Sequence, residues 1–192
     1  MKVKYLLIII AALLIVILVS ACETASQNAQ ASPAPAQLAE RGKYLVNVMG
    51  CDDCHSPKIF GPNGPEPDPA RRLSGHPAEM TLGRIDKKVL KDWVLFNAHN
   101  TAIVGPWGVS FAANLTSDPT GIGSWSEAQF FKAIREGKYK GLDGTRPLLP
   151  PMPWPAYAQL TDEDLRAIFT YLKTVKPVSN ITPQPVPPDQ IN

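Results

Sequence analysis

Cys51-Asp52-Asp53-Cys54-His55 is a C-x-x-C-H sequence, and its reading decides what the rest of the chain must build. Two thioether bonds to the vinyl groups of a haem need cysteines about one helical turn apart, and the next histidine then reaches the iron. A thioredoxin-like dithiol or half of a zinc site shares the C-x-x-C spacing. Neither explains the histidine, and no second cysteine pair exists to complete a zinc ligand set. One covalent haem c on Cys51, Cys54 and His55 is the expectation.

The chain has 192 residues and only 3 cysteines, too few for a disulfide framework, and the third cysteine has a context of its own. Lys2 and Lys4 precede the uncharged run Tyr5–Ser20, a basic start followed by a short apolar segment, as in an export signal. Val19-Ser20-Ala21-Cys22 resembles the lipobox of bacterial lipoproteins. Residues 1–21 then read as a lipoprotein signal peptide and Cys22 as the lipidated first residue. An uncleaved anchor, or an ordinary signal with an incidental cysteine, is the competing reading. Lipidation holds the protein on the extracytoplasmic face of a bacterial membrane, at the periplasmic side or the cell surface. Export agrees with haem c, which is attached outside the cytoplasm.

Nineteen basic residues against 17 acidic ones, with no basic stripe, exclude a nucleic-acid binder. Removing the signal takes Lys2 and Lys4 and leaves the two signs balanced, so net charge does not steer partners over long range. The 20 prolines are about twice ordinary usage and cluster at the ends and in one loop. Residues 22–37, rich in Ala, Gln, Ser and Pro, read as a flexible linker. Residues 177–192 read as a proline-rich tail, lying along the domain or dangling. The folded domain is expected over 38–176.

Three helices are expected inside it. Leu38 to Gly50 carries Leu38, Leu45, Val48 and Met49 on one face, with Gly42 where another backbone can approach. Ser124-Trp125-Ser126-Glu127 reads as a capping box opening a helix through Glu136, with Gly137 just past its end. Thr161 and the acids after it start a helix with the stripe Leu165, Ile168, Phe169 and Leu172. A further helix is a candidate at Lys87–Asn97. No run alternates in the manner of a sheet strand, so loops fill the remainder.

The region Arg41–Val178 resembles a class I cytochrome c domain. Within it, ANLTSDPTGIGSWSEAQFFKAIREGK (Ala113–Lys138) and LPPMPWPAYAQLTDEDLRAIFTYLK (Leu149–Lys173) are similar to cytochromes related to the haem subunits of bacterial membrane-bound dehydrogenases. The resemblance implies an all-α class I cytochrome c fold, three to five helices with long loops around one haem, the first and last helices crossing.

The haem iron needs a second axial group or an open site. Met49, Met80, Met152, His76 and His99 are the candidates. Met49 is tied to the proximal side by its nearness to Cys51. Met152 sits in Leu149-Pro150-Pro151-Met152-Pro153, where prolines on both sides hold a ligand without a helix. It also precedes the last helix, where the resemblance puts a methionine ligand. His76 reads as solvated or backbone-bonded, and His99 as a buried satisfied histidine. Asn114, Trp107 and Trp125 are candidate haem-pocket residues. Pro57 is expected to offer a carbonyl to the His55 ring N–H.

These residues point to a membrane-anchored mono-haem cytochrome passing single electrons between extracytoplasmic partners: a dehydrogenase, an oxidase or other cytochromes. A permanently bound cytochrome subunit of a dehydrogenase or respiratory complex is the alternative. A haem enzyme or sensor would require an open distal site. No small-molecule substrate is expected.

Overall fold

The computed structural model describes residues 34–191. The signal over 1–21, Cys22 and the linker as far as residue 33 lie outside the described residues. Helix α1 spans Pro35–Val48, so the last three linker positions are already helical. Proline suits this first turn, where its missing N–H has no partner to lose.

Leu38, Gly42, Leu45 and Val46 form the buried face of α1, the i, i+4, i+7, i+8 spacing of one helical stripe. Val48, expected on this face, is 60% exposed. It lies about 100° around the helix from the stripe's centre, and Val46 takes its place. The partner is the final helix, α5, over Asp162–Leu172, capped by Thr161, whose hydroxyl accepts from the Asp164 N–H. Its expected stripe is buried, with Ala167 also inward. At the crossing a Cβ on Gly42 would lie 1.9 Å from the Ala167 carbonyl oxygen and 2.8 Å from the Tyr171 Cβ. The first and last helices therefore touch backbone to backbone.

Between them lie α2 (Cys51–His55), α3 (Glu127–Glu136) and α4 (Trp154–Tyr157). Helix α3 is capped by Ser126, two residues later than the Ser124 capping box proposed, because the Ser126 hydroxyl takes the Gln129 N–H. Gly137 ends it as expected. Phe130 from α3 stacks on Phe169 of α5, with ring centroids 5.2 Å apart, and joins α1, Leu73 and Ile122 in the main core.

The all-α expectation needs correcting. Strands β1 (Lys58–Gly61) and β2 (Gly64–Pro67) form a hairpin across Pro62–Asn63. Strands β3 (Leu95–Phe96), β4 (Ala102–Gly105) and β5 (Gly108–Phe111) form a second antiparallel sheet. The helix expected over Lys87–Asn97 is only a 3-10 turn at Val89–Lys91 leading into β3. Val94, Leu95 and Phe96 favour extended backbone, and pairing with β4 decides the matter. In this sheet Leu95, Val104 and Val109 face a small second core with Ile191, while Phe96, Ile103 and Ser110 face the other way. All four residues of β4 are buried, so it shows no alternation of polar and apolar residues.

The proline-rich tail is part of the domain. Asn180 is buried; its amide donates to the carbonyls of Ser74 (2.7 Å) and His76 (2.9 Å) and accepts from the Ala78 N–H (3.0 Å). Val186 pairs with Val109, and Ile191 is buried beyond it. Asn180→Ala is expected to destabilise the domain by about 3 kcal/mol, since two buried carbonyls and the part-buried Ala78 N–H lose their partner. Denaturant unfolding followed by far-UV circular dichroism measures this; an unchanged midpoint would assign the tail no structural weight.

Candidate haem site

The site starts at the end of α1. Gly50 adopts φ 67°, ψ 29°, which turns the chain into α2 within one residue. A one-turn helix then sets Cys51 and Cys54, three positions apart, on the same turn, both free and half-buried. Burial pushes the Cys51 thiol up to about 11, and Cys54 is raised for the same reason. A redox dithiol does the opposite, lowering a thiol to make a nucleophile. Protonated, sheltered thiols fit thioether attachment and not disulfide exchange.

The His55 Nδ1–H donates to the carbonyl oxygen of Ala113 at 2.8 Å. That bond fixes the tautomer and leaves Nε2 as the lone-pair nitrogen, while burial lowers the imidazole's pKa and keeps it neutral. The expected role of Pro57 falls away here: its carbonyl accepts from the Asp68 N–H instead. The His55 carbonyl takes the Gly75 N–H at 2.7 Å. Below, the Asp52 carboxylate accepts from Ser56 (2.6 Å) and from Arg72 (2.5 Å), and Arg72 also reaches Tyr171 (2.5 Å) and Asn47 (2.9 Å). The attachment turn is thus bolted to both crossing helices.

Two adjoining cavities of 190 and 390 Å³ open above α2. Both are walled by Cys51, His55 and Met152, and the larger also by Cys54. Their lining is mostly apolar, of the size and character of a cofactor site. Met152 reaches them from the loop before α4. That loop is held by the Ser110 hydroxyl, which donates to the Pro150 carbonyl at 2.7 Å. Met49 also lines both cavities, but its backbone bonds to Leu45 and to the Tyr157 hydroxyl, and it packs into the main core. Met80, His76 and His99 line neither. His76 is wholly buried and backbone-bonded, its Nε2–H donating to the Met80 carbonyl and its Nδ1 accepting from Thr101. His99 is half-buried and accepts the Lys58 main-chain N–H.

Of the other pocket candidates, Asn114 and Trp125 line the smaller cavity. The Asn114 amide is fully committed: it donates to Thr120, Val178 and Asn180 and accepts twice from Thr116, so its work is to hold the tail. Trp107 lines neither cavity; its indole N–H donates to Ser110 at 3.4 Å, behind the methionine loop. Sequence reasoning missed the sheet face of Phe96, Ile103 and Ser110, which walls the larger cavity, and Ile181 and Gln184 of the tail, which border the smaller. β4 is buried on both faces and β5 nearly so, so no two-residue period marked this sheet in the sequence.

Two thiols and one neutral imidazole in an apolar cradle suit an iron porphyrin. Among the described residues no group of three or more His, Cys, Asp or Glu side chains is arranged to hold a bare metal ion.

The chain is 41% identical over 159 residues, 82% of its length, to the cytochrome c subunit of alcohol dehydrogenase (quinone) from Gluconacetobacter polyoxogenes. It is a relative of dehydrogenase cytochrome c subunits. The fructose dehydrogenase cytochrome subunit of Gluconobacter japonicus matches at 31% over 173 residues, 88% of the chain. The gluconate 2-dehydrogenase cytochrome c subunit of Pantoea cypripedii matches at 31% over 144 residues, 74% of the chain. The chain spans about a quarter of the length of these relatives, at 26%, 28% and 24%. No family model matches it.

Proposed function

We propose that this chain is a mono-haem cytochrome subunit that takes single electrons from a dehydrogenase and passes them on. Cys51 and Cys54 would hold the haem by thioethers, and His55 and Met152 would be the residues that bind its iron. The observation that carries the reading is that His55 and Met152 share the walls of both apolar cavities above the C-x-x-C-H turn. Haem c supplies a reversible one-electron couple there. The chain's own part is to fix the His55 tautomer through Ala113, to hold the Met152 loop through Ser110, and to exclude water with the sheet face and the tail. Methionine opposite histidine favours a higher potential than a second imidazole.

Similarity to dehydrogenase cytochrome subunits supports a fixed partner over a carrier that docks briefly. On this reading Cys22 carries the lipid anchor and the domain works on the extracytoplasmic side of a membrane. Affinity purification of the tagged full-length protein in detergent is expected to bring down a catalytic dehydrogenase chain that persists through a high-salt wash. Haem staining on a denaturing gel is expected at the chain's own position and lost in Cys51→Ala/Cys54→Ala. A haem-stained protein that purifies alone favours the freely docking carrier. Absence of haem stain from wild type sinks both.

A further inference from the structure

Lys58 is withdrawn from water to 8% exposure at the start of β1, three residues past His55. Its Nζ donates to three main-chain carbonyls, those of Asp52 (2.9 Å), Asp53 (3.0 Å) and Ser56 (2.6 Å). An ammonium has three N–H bonds, one for each of these carbonyls, whereas a neutral amine has two. No carboxylate forms a salt bridge with it: both Asp52 oxygens serve Ser56 and Arg72, and Asp53 acts on it only through its charge, without contact. Burying a cation with no salt-bridge partner is costly, more than capping a one-turn helix explains, since a neutral donor or water would cap it.

The three carbonyls belong to the attachment turn and its exit. Asp52 and Asp53 lie between the two cysteines, and Ser56 follows His55. Lys58 itself lines neither cavity, so its charge stands behind α2, on the side away from the proposed haem. We propose that Lys58 is a positioning residue that presents a fixed positive charge to the haem-bearing turn, raising the reduction potential of the bound iron. This rests on the haem reading above. Reduction brings one electron from a reduced partner protein and no proton. The added negative charge is favoured by a cation held in a low-dielectric setting, where water screens it poorly. The three bonds also hold the ammonium in place, with no free rotamer to swing into solvent.

The test uses the full-length holoprotein, after haem staining and a low-spin spectrum have verified the haem; failure at that stage rejects the haem reading, not the role of Lys58. Midpoint potentials are then measured by optical redox titration. Lys58→Gln, which keeps two N–H donors and loses the charge, is expected to shift the reduction equilibrium about tenfold toward the oxidised form, about 59 mV. Lys58→Arg is expected to stay near wild type. His99→Asp and His99→Asn form a second pair, because His99 accepts the Lys58 main-chain N–H at 3.1 Å and lines neither cavity. Both replacements keep an acceptor there, and they differ by one charge beside Lys58. His99→Asp is expected to lie below His99→Asn, and this comparison stands even if Lys58→Gln fails to accumulate. Equal potentials in the His99 pair, or a Lys58→Gln potential equal to wild type, overturns the proposal.

Discussion

Met152→Ala is expected to erase the far-red methionine–iron charge-transfer band of the oxidised protein and to let the reduced protein bind carbon monoxide. Removing the thioether from the shared wall of both cavities leaves no other thioether or imidazole candidate free to enter. Met49 is held by the core and by Tyr157, and Met80, His76 and His99 are bonded elsewhere. The midpoint potential is expected to fall by more than about 59 mV, over tenfold in the reduction equilibrium. Met80→Ala serves as the control and is expected to keep the band. A wild-type protein that lacks the band, or an alanine variant that retains it, would reject Met152 as the ligand and favour an enzyme or sensor with an open distal site.

The second large effect lies outside the cavity. Gly42→Val is expected to abolish accumulation of folded haem-bearing protein, and Gly42→Ala to lower Tm by about 4–8 °C. The atom that a Cβ would strike is the Ala167 carbonyl oxygen, 1.9 Å away, and a backbone atom of a packed helix cannot step aside. Overpacking of this kind costs about 3 kcal/mol even for one methyl, and the net cost of about 2 kcal/mol after the gain in helix propensity corresponds at this domain size to the stated range. Alanine's helix propensity returns only about 1 kcal/mol. Thermal unfolding by circular dichroism decides; an unchanged Tm in Gly42→Ala would mean that the two helices do not cross at this residue.

Both predictions concern residues that the sequence made legible for different reasons. Gly42 and the stripe of α5 stand out because helical spacing repeats over a dozen residues and averages out local noise. C-x-x-C-H is legible because covalent chemistry dictates its spacing. Met152 needed the flanking prolines and the family pattern. The sheet was illegible because its strands are two to four residues long and β4 is buried on both faces, which leaves no contrast between inside and outside. The Ala113 carbonyl was illegible for a deeper reason: it meets His55 across 58 residues, through backbone, which has no side-chain signature. Asn114, read as a pocket residue, lines the smaller cavity, and its amide also bonds to the tail, which the sequence did not show.

The tail that Asn114 and Asn180 hold has a consequence for assembly. The attachment cysteines lie near the start of the folded domain, whereas the walls around them come late in the chain: Met152 first, then Ile181 and Gln184. On the proposed extracytoplasmic reading, the attachment turn would emerge during export while most of its enclosure had yet to cross the membrane. A large planar group can therefore be joined to Cys51 and Cys54 on an open, accessible segment and be sealed in afterwards, as the last residues dock. Maturation then runs in a fixed direction, with chemistry before closure, and a chain that folded first would have shut its own door.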